Sequence, residues 1–116
     1  MENLDLKCAQ VGEQIGTAAE EKILTDALGV LEEQGVYAFF LYLKAKNIKI
    51  SNQCLEFLKQ TPEDSPLIPA NNNSKDIFAM LQDLAKDLDK LLFARDLLLQ
   101  VFVYSRYHAK IKSKKE

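Results

Sequence analysis

The chain has 116 residues, of which 47% are hydrophobic and 28% charged, and its formal net charge is −2. These values fit a single domain with one hydrophobic core and exclude a disordered or collagen-like chain. The slight acidity also argues against a free-standing nucleic-acid-binding protein that neutralises many phosphates, because such domains are usually clearly basic.

Charge is sorted into blocks along the chain. An acidic first third and a basic C-terminal tail suit head-to-tail association or one local phosphate contact, and ordinary solvated helix faces explain them equally well. The Lys and Arg residues against the Asp and Glu residues number 2 against 8 in residues 1–39, 4 against 1 in 40–60, 4 against 7 in 61–103 and 5 against 1 in 104–116.

The sequence lacks the groups that catalysis or metal binding would need. Cys8 and Cys54 are isolated thiols without a CxxC motif or a paired His, so we expect them in the core. The single histidine, His108, has no acid placed to orient it. We therefore expect a protein that is not an enzyme and has no cofactor, no metal ion and no small-molecule substrate. No charged leader opens the chain and its longest apolar run, residues 36–43, is far too short to span a membrane, which predicts a cytoplasmic protein without membrane contact.

Apolar periodicity predicts a first helix that begins after Asn3, whose side chain can cap it. Gly12 and Gly16 form a GxxxG spacing within this helix, which indicates close packing of a neighbouring helix. The apolar stripe consists of Leu4, Cys8, Val11, Ile15 and Ala18.

Two further helices are predicted up to residue 46. Residues 17–20 (TAAE) match a capping box, so the second helix should start there, and Gly35 should end it. Residues 36–46 are apolar on most sides, which favours a central helix of about three turns that ends at Asn47. The stripe of the second helix consists of Ile23, Leu24, Ala27, Leu28 and Leu31.

The middle of the chain predicts a short helix and a long loop. Residues 48–50 should be a connection, with Ser51 capping a fourth helix. Residues 61–73 hold all three prolines and three consecutive asparagines, so we expect an exposed loop. Leu67 and Ile68 in this loop should tuck against the bundle, or alternatively stay exposed to bind a partner.

In the last third of the chain, a helix should begin after a cap at Asn73 or Ser74. Because one helix over residues 75–112 would be too long for so small a domain, we expect a break, with Asp87 capping the last helix. Residues 91–104 are apolar nearly all round and should form the most buried helix. The whole chain, residues 1–116, is therefore predicted to be one all-α domain, a compact bundle of five or six helices with a long buried C-terminal helix.

Two basic clusters are candidate contacts for RNA or a protein partner. The tail mixes cations with Tyr104 and Tyr107, and tyrosine rings can stack on unpaired bases while cations hold phosphates. A solvated lysine-rich terminus is the alternative interpretation. The cations of the tail are Arg106, Lys110, Lys112 and Lys114, and those of the second cluster are Lys44, Lys46 and Lys49.

Two segments resemble the small helical subunit of type III-B CRISPR effector complexes, the Cmr family. Residues 24–46 (LTDALGVLEEQGVYAFFLYLKAK) are similar to the family's helix, Gly turn and apolar helix ending in Lys. Residues 91–111 (LLFARDLLLQVFVYSRYHAKI) are similar to its long final helix with two Arg residues. The family often has a Trp in that helix, where this chain has residues 101–103, and the proline typical before its second apolar helix is missing.

The resemblance implies a non-catalytic structural subunit that stacks beside the backbone subunits and further copies of itself and supports the binding of crRNA and target RNA in antiviral defence. Arg95 and Arg106 are the matching positions, and they are the implied RNA or partner contacts. The departures leave open the small subunit of a type III-A or type I complex. A helical adaptor or regulator that binds one protein partner through the acidic first third remains the alternative of a different class.

Overall fold

The computed structural model describes residues 3–69 and 76–114, and it contains six α-helices and no strand within these ranges. The predicted all-α bundle with a long final helix is confirmed. The helices are α1 (Leu4–Ala18), α2 (Glu21–Gln34), α3 (Val36–Lys46), α4 (Ile48–Gln60), α5 (Ile77–Ala85) and α6 (Leu88–Lys114).

The first and last helices pack against each other at the glycines of α1. A Cβ atom added to Gly12 would lie 2.6 Å from the Cβ of Tyr104, and one added to Gly16 would collide with the carbonyl oxygen of Ser105. The two backbones therefore approach more closely than any side chain would permit. This confirms the predicted close packing at the GxxxG spacing and identifies α6 as the neighbour.

An aromatic cluster fills the centre of the bundle. The ring centroids of Phe39 and Phe102 are 5.0 Å apart, and those of Phe39 and Phe40 are 5.3 Å apart, both in edge-to-face arrangements. All three rings are fully buried. Helix α3 is thus central as predicted, although its Tyr37 and Leu41 remain about half exposed on the outer side.

The predicted capping box at Thr17 is wrong. Thr17 belongs to the last turn of α1, where its hydroxyl donates to the carbonyl of Glu13 at 2.9 Å and does not cap α2. Helix α2 begins at Glu21 without a capping side chain. The predicted end of α2 at Gly35 is confirmed by its φ of 98°, a left-handed conformation that suits glycine.

The predicted connection before Ser51 is also wrong, because α4 follows α3 directly. Asn47 ends α3, as predicted, and its side-chain oxygen accepts a hydrogen bond from the backbone N–H of Ile50 at 3.2 Å, which starts α4. One residue therefore serves both helix ends. Ser51 is buried inside α4.

The described part of the predicted loop, residues 61–69, has no regular structure. Leu67 and Ile68 are buried, and the N–H of Ile68 donates to the carbonyl of Leu58 at 3.2 Å. Tucking against the bundle is confirmed, and the alternative of an exposed contact at these two residues is wrong. The predicted caps at residues 73 and 74 lie outside the described residues; Asp76 caps α5.

Helix α6 begins after Asp87, the predicted cap, whose carboxylate accepts from the N–H of Lys90 at 3.2 Å. One side of α6 is buried in the bundle and includes Leu98, Val101 and Phe102. Another side is open to solvent and includes Leu88, Leu92 and Val103. Among the described helices, none has the length and apolar character needed to cross a membrane.

The contact at Gly16 predicts that Gly16→Ala destabilises the protein by about 1–3 kcal/mol, because the added methyl group forces α1 away from α6. Gly29→Ala is the matched control. No atom lies within 4 Å of a Cβ at Gly29, so the better helix propensity of alanine should stabilise the fold by about 0.5–1 kcal/mol. Urea denaturation of both variants measures the difference, and equal effects would contradict the close approach.

Candidate RNA and partner interface

A solvent-facing stripe runs along the whole of α6. Its members recur every three or four residues, a spacing that places them on one side of a helix. Leu88 and Tyr107, near its two ends, are each 64% exposed. Exposed apolar side chains in such a row are typical of a contact surface. We call this surface the open face; it consists of Leu88, Asp89, Leu92, Asp96, Leu99, Val103, Arg106, Tyr107, Lys110, Ile111 and Lys114.

The C-terminal half of the open face carries a surface depression of about 270 Å³, lined by Val103, Arg106, Tyr107 and Lys110. The Nε atom of Arg106 is shielded from solvent and has no hydrogen-bond partner among the described residues. A buried donor without an acceptor is unfavourable, and an incoming anion would satisfy it. The exposed tyrosine ring beside two cations can accept a stacked base.

Two of the predicted contact residues on α6 form hydrogen bonds within the fold instead. The ammonium group of Lys112 donates to the carbonyls of Thr17 and Ala19, at 3.3 and 3.2 Å, at the C-terminal end of α1. The guanidinium of Arg95 donates to the carbonyl of Glu32 at 3.3 Å, near the end of α2. Neither α1 nor α2 has a basic residue in its own last turn, so α6 supplies the cation that a helix C-terminus favours.

The second basic cluster lies apart from the depression. The ammonium group of Lys44 lies 4.9 Å from the centroid of the Phe78 ring, a cation–π contact that joins α3 to α5. Lys46 is exposed, and Lys49 lines a groove between α1 and α4. None of the three lines the depression on α6. The structure therefore brings together Arg106, Lys110 and Lys114 of the predicted residues.

Sequence reasoning missed the exposed apolar residues of the open face. Leu92 and Val103 lie in the segment predicted to form the most buried helix, yet they are 49% and 38% exposed. The available signal is the polar interruption at Asp96, which is on the same side of the helix as both. Its neighbour Arg95 points towards α2, and Gln100 donates to Asp5 of α1 at 3.3 Å.

The two thiols are in environments that keep them protonated. Burial, with a smaller contribution from Asp5, raises the pKa of Cys8 to about 11, and burial raises the pKa of Cys54 strongly. The Cys8 thiol donates to the carbonyl of Leu97 at 3.7 Å. Within the described ranges, no group of three or more His, Cys, Asp or Glu residues is arranged to hold a metal ion.

Lys112→Ala should destabilise the protein by about 1 kcal/mol, because it removes the donor to the carbonyls at the end of α1. Lys114→Ala removes an exposed cation two residues further along α6 and should change stability by less than about 0.5 kcal/mol. Chemical denaturation of the two variants is the measurement. Equal losses would show that Lys112 does not support α1.

Both cysteines should resist a thiol-specific reagent in the native protein at neutral pH. The thiolate is the reactive form, and a pKa of about 11 leaves Cys8 almost entirely protonated at that pH. Labelling with a chromogenic disulfide should proceed only after addition of denaturant or at strongly alkaline pH. Fast labelling of the folded protein at pH 7 would contradict the burial of the thiols.

Known proteins give no direct guide to this surface. A comparison of the chain with models of protein families, with curated proteins and with solved structures finds no match. The open face of α6 and the two segments at residues 24–46 and 91–111 are the features available for a functional conclusion.

Proposed function

We propose that the protein is a non-catalytic structural subunit of an RNA-guided, RNA-targeting CRISPR effector complex and contacts RNA and neighbouring subunits through the open face of α6. The observation that carries the proposal is the depression around Arg106, where a shielded guanidinium nitrogen, which no described residue pairs, lies beside Tyr107 and Lys110. The resemblance of residues 24–46 and 91–111 to the small subunits of these complexes supports the specific form of the proposal.

The open face suits a weak contact that is multiplied by assembly. It offers three cations, Arg106, Lys110 and Lys114, within about 12 Å along the helix axis. Three phosphates neutralised on a single strand correspond to a salt dependence with a slope of only about −2 in logarithmic units. Affinity of this kind becomes useful when several linked subunits hold the same RNA, because avidity multiplies weak contacts.

A helical adaptor for one protein partner is the second candidate function. It is favoured by Leu88, Leu92 and Val103, which add exposed apolar area to the same face. Apolar exposure is typical of protein interfaces, whereas RNA contacts depend on cations and stacking. The two candidates therefore differ in which residues of the open face they require.

The experiment is titration of a labelled single-stranded RNA of about 30 nucleotides with the purified protein, followed by fluorescence polarisation at low and physiological salt. We expect Lys110→Glu combined with Lys114→Glu to weaken binding at least about tenfold, because two attractive phosphate contacts become repulsive. The matched control is Lys22→Glu combined with Lys90→Glu, which makes the same change of net charge at two exposed lysines away from the open face.

Equal losses in both variants would indicate unspecific attraction and would contradict an RNA contact at the open face. Absence of RNA binding by the unaltered protein, together with recovery from its source without guide RNA or CRISPR proteins, would favour the adaptor. Recovery in a ribonucleoprotein with short guide RNA, lost in the Lys110 and Lys114 variant alone, is the result that the proposal requires.

A further inference from the structure

The charges of the open face are arranged by sign along α6. The acidic residues Asp89 and Asp96 lie in its N-terminal half, and the cations Arg106, Lys110 and Lys114 lie in its C-terminal half. The side chain of Asp96 is 72% exposed, and its carboxylate lies 3.9 Å from the guanidinium of Arg95 at the edge of the face. The charge of the N-terminal half is therefore available to a partner.

The apolar residues of the face are distributed over both halves. Leu88 and Leu92 accompany the acids, Leu99 and Val103 lie at the middle, and Ile111 accompanies the cations. From residue 88 to residue 111 the face is about 35 Å long. A helix that covers this face must carry an apolar stripe. It must also be basic where it meets the N-terminal half of the face and acidic where it meets the C-terminal half.

These requirements are met by α6 itself. We propose that the open face binds the same face of a second copy of the chain, with the two α6 helices antiparallel about a twofold axis. Antiparallel pairing places the acidic half of each copy against the basic half of the other, whereas parallel pairing would place like charges together. The pair covers the exposed apolar stripe in both copies at once.

In one register, with the twofold axis at the level of residue 101, four pairs of residues of the open face lie opposite each other. Leu99 and Val103 are equally far from residue 101, so Leu99 of each copy contacts Val103 of the other. These contacts form the apolar centre of the pair. Asp96 and Arg106 are also equally far from residue 101 and face each other twice across the axis. Further out, the aliphatic stems of the two remaining cations cover leucines of the other copy. Lys110 covers Leu92, and Lys114 covers Leu88.

The shielded nitrogen of Arg106 gains a partner in this arrangement, since the carboxylate of Asp96 from the second copy supplies an acceptor. The pairing does not depend on RNA binding. It describes the free protein, in which the second copy occupies the surface that RNA would contact within the proposed complex. Dimer formation and RNA binding then compete for Arg106 and Lys110.

The test is sedimentation equilibrium of the full chain between about 1 and 200 μM. The unaltered protein should show a reversible dimer. Asp96→Arg and Arg106→Asp should each raise the dissociation constant of the dimer at least about tenfold, because each places like charges face to face twice. Mixed in equal amounts, the two variants should form a heterodimer as stable as the original, since every Arg then faces an Asp.

The control Glu13→Arg changes an exposed acid on α1 and should leave dimer formation unchanged. Circular dichroism verifies that each variant is folded; if Arg106→Asp is not, Asp96→Arg and the exposed Leu92→Arg, which would face Lys110 of the second copy, provide the same test. A monomer at all concentrations, full dimerisation of the Asp96 variant, or no recovery on mixing would overturn the proposal.

RNA titration separates this proposal from the proposed function. Asp96→Arg removes the dimer contact but leaves all three cations of the face, so RNA affinity should be kept or increased while dimerisation is lost. Dimerisation without any RNA binding would leave the pairing standing and overturn the proposed function. RNA binding by a strictly monomeric protein would overturn the pairing and leave the proposed function standing.

Discussion

The close contact of α1 with α6 is the constraint on which the rest of the structure depends. It requires a backbone without side chains at Gly12 and Gly16, because Tyr104, Ser105 and the following turn of α6 occupy the space. The contact fixes which side of α6 faces inward. Phe102 is then directed at the aromatic centre formed with α3, and the side with Asp96 and Arg106 is left facing solvent. The position of α1 on α6 therefore determines which side of α6 becomes the open face.

The sorted charges have an internal use before any external one. Helices α1 and α2 have no cation in their last turns, and both receive one from α6, through Lys112 and Arg95 respectively. Tyr104 adds a hydrogen bond to Asp5 at 2.7 Å near the start of α1. Cations of α6 that bind backbone carbonyls, together with the Tyr104–Asp5 hydrogen bond, thus stabilise the packing of α6 against α1 and α2. The basic residues of the open face, Arg106, Lys110 and Lys114, are the candidates for contact with an external partner.

Periodicity in the sequence was sufficient for the fold class, the ends of α2 and α3 and the break at Asp87, because these depend on local apolar spacing and on single residues. It failed at Thr17 and Ser51, where a capping pattern was present but the preceding helix continued or the next one began earlier. For the candidate site, the sequence identified cations but not their partners. The carbonyl bound by Lys112 is 95 residues away in the chain, a distance over which no local pattern carries information.

The order of synthesis gives the pairing of α1 and α6 a further meaning. A nascent chain releases α1 first, yet the surface that covers its glycines is translated last of the six helices. Until then, the small-residue groove of α1 and the ends of α1 and α2 have no α6 to cover them, so native packing has to wait for late contacts between residues far apart in sequence. On the ribosome, the bundle should therefore remain loosely associated through most of translation and condense in one late step.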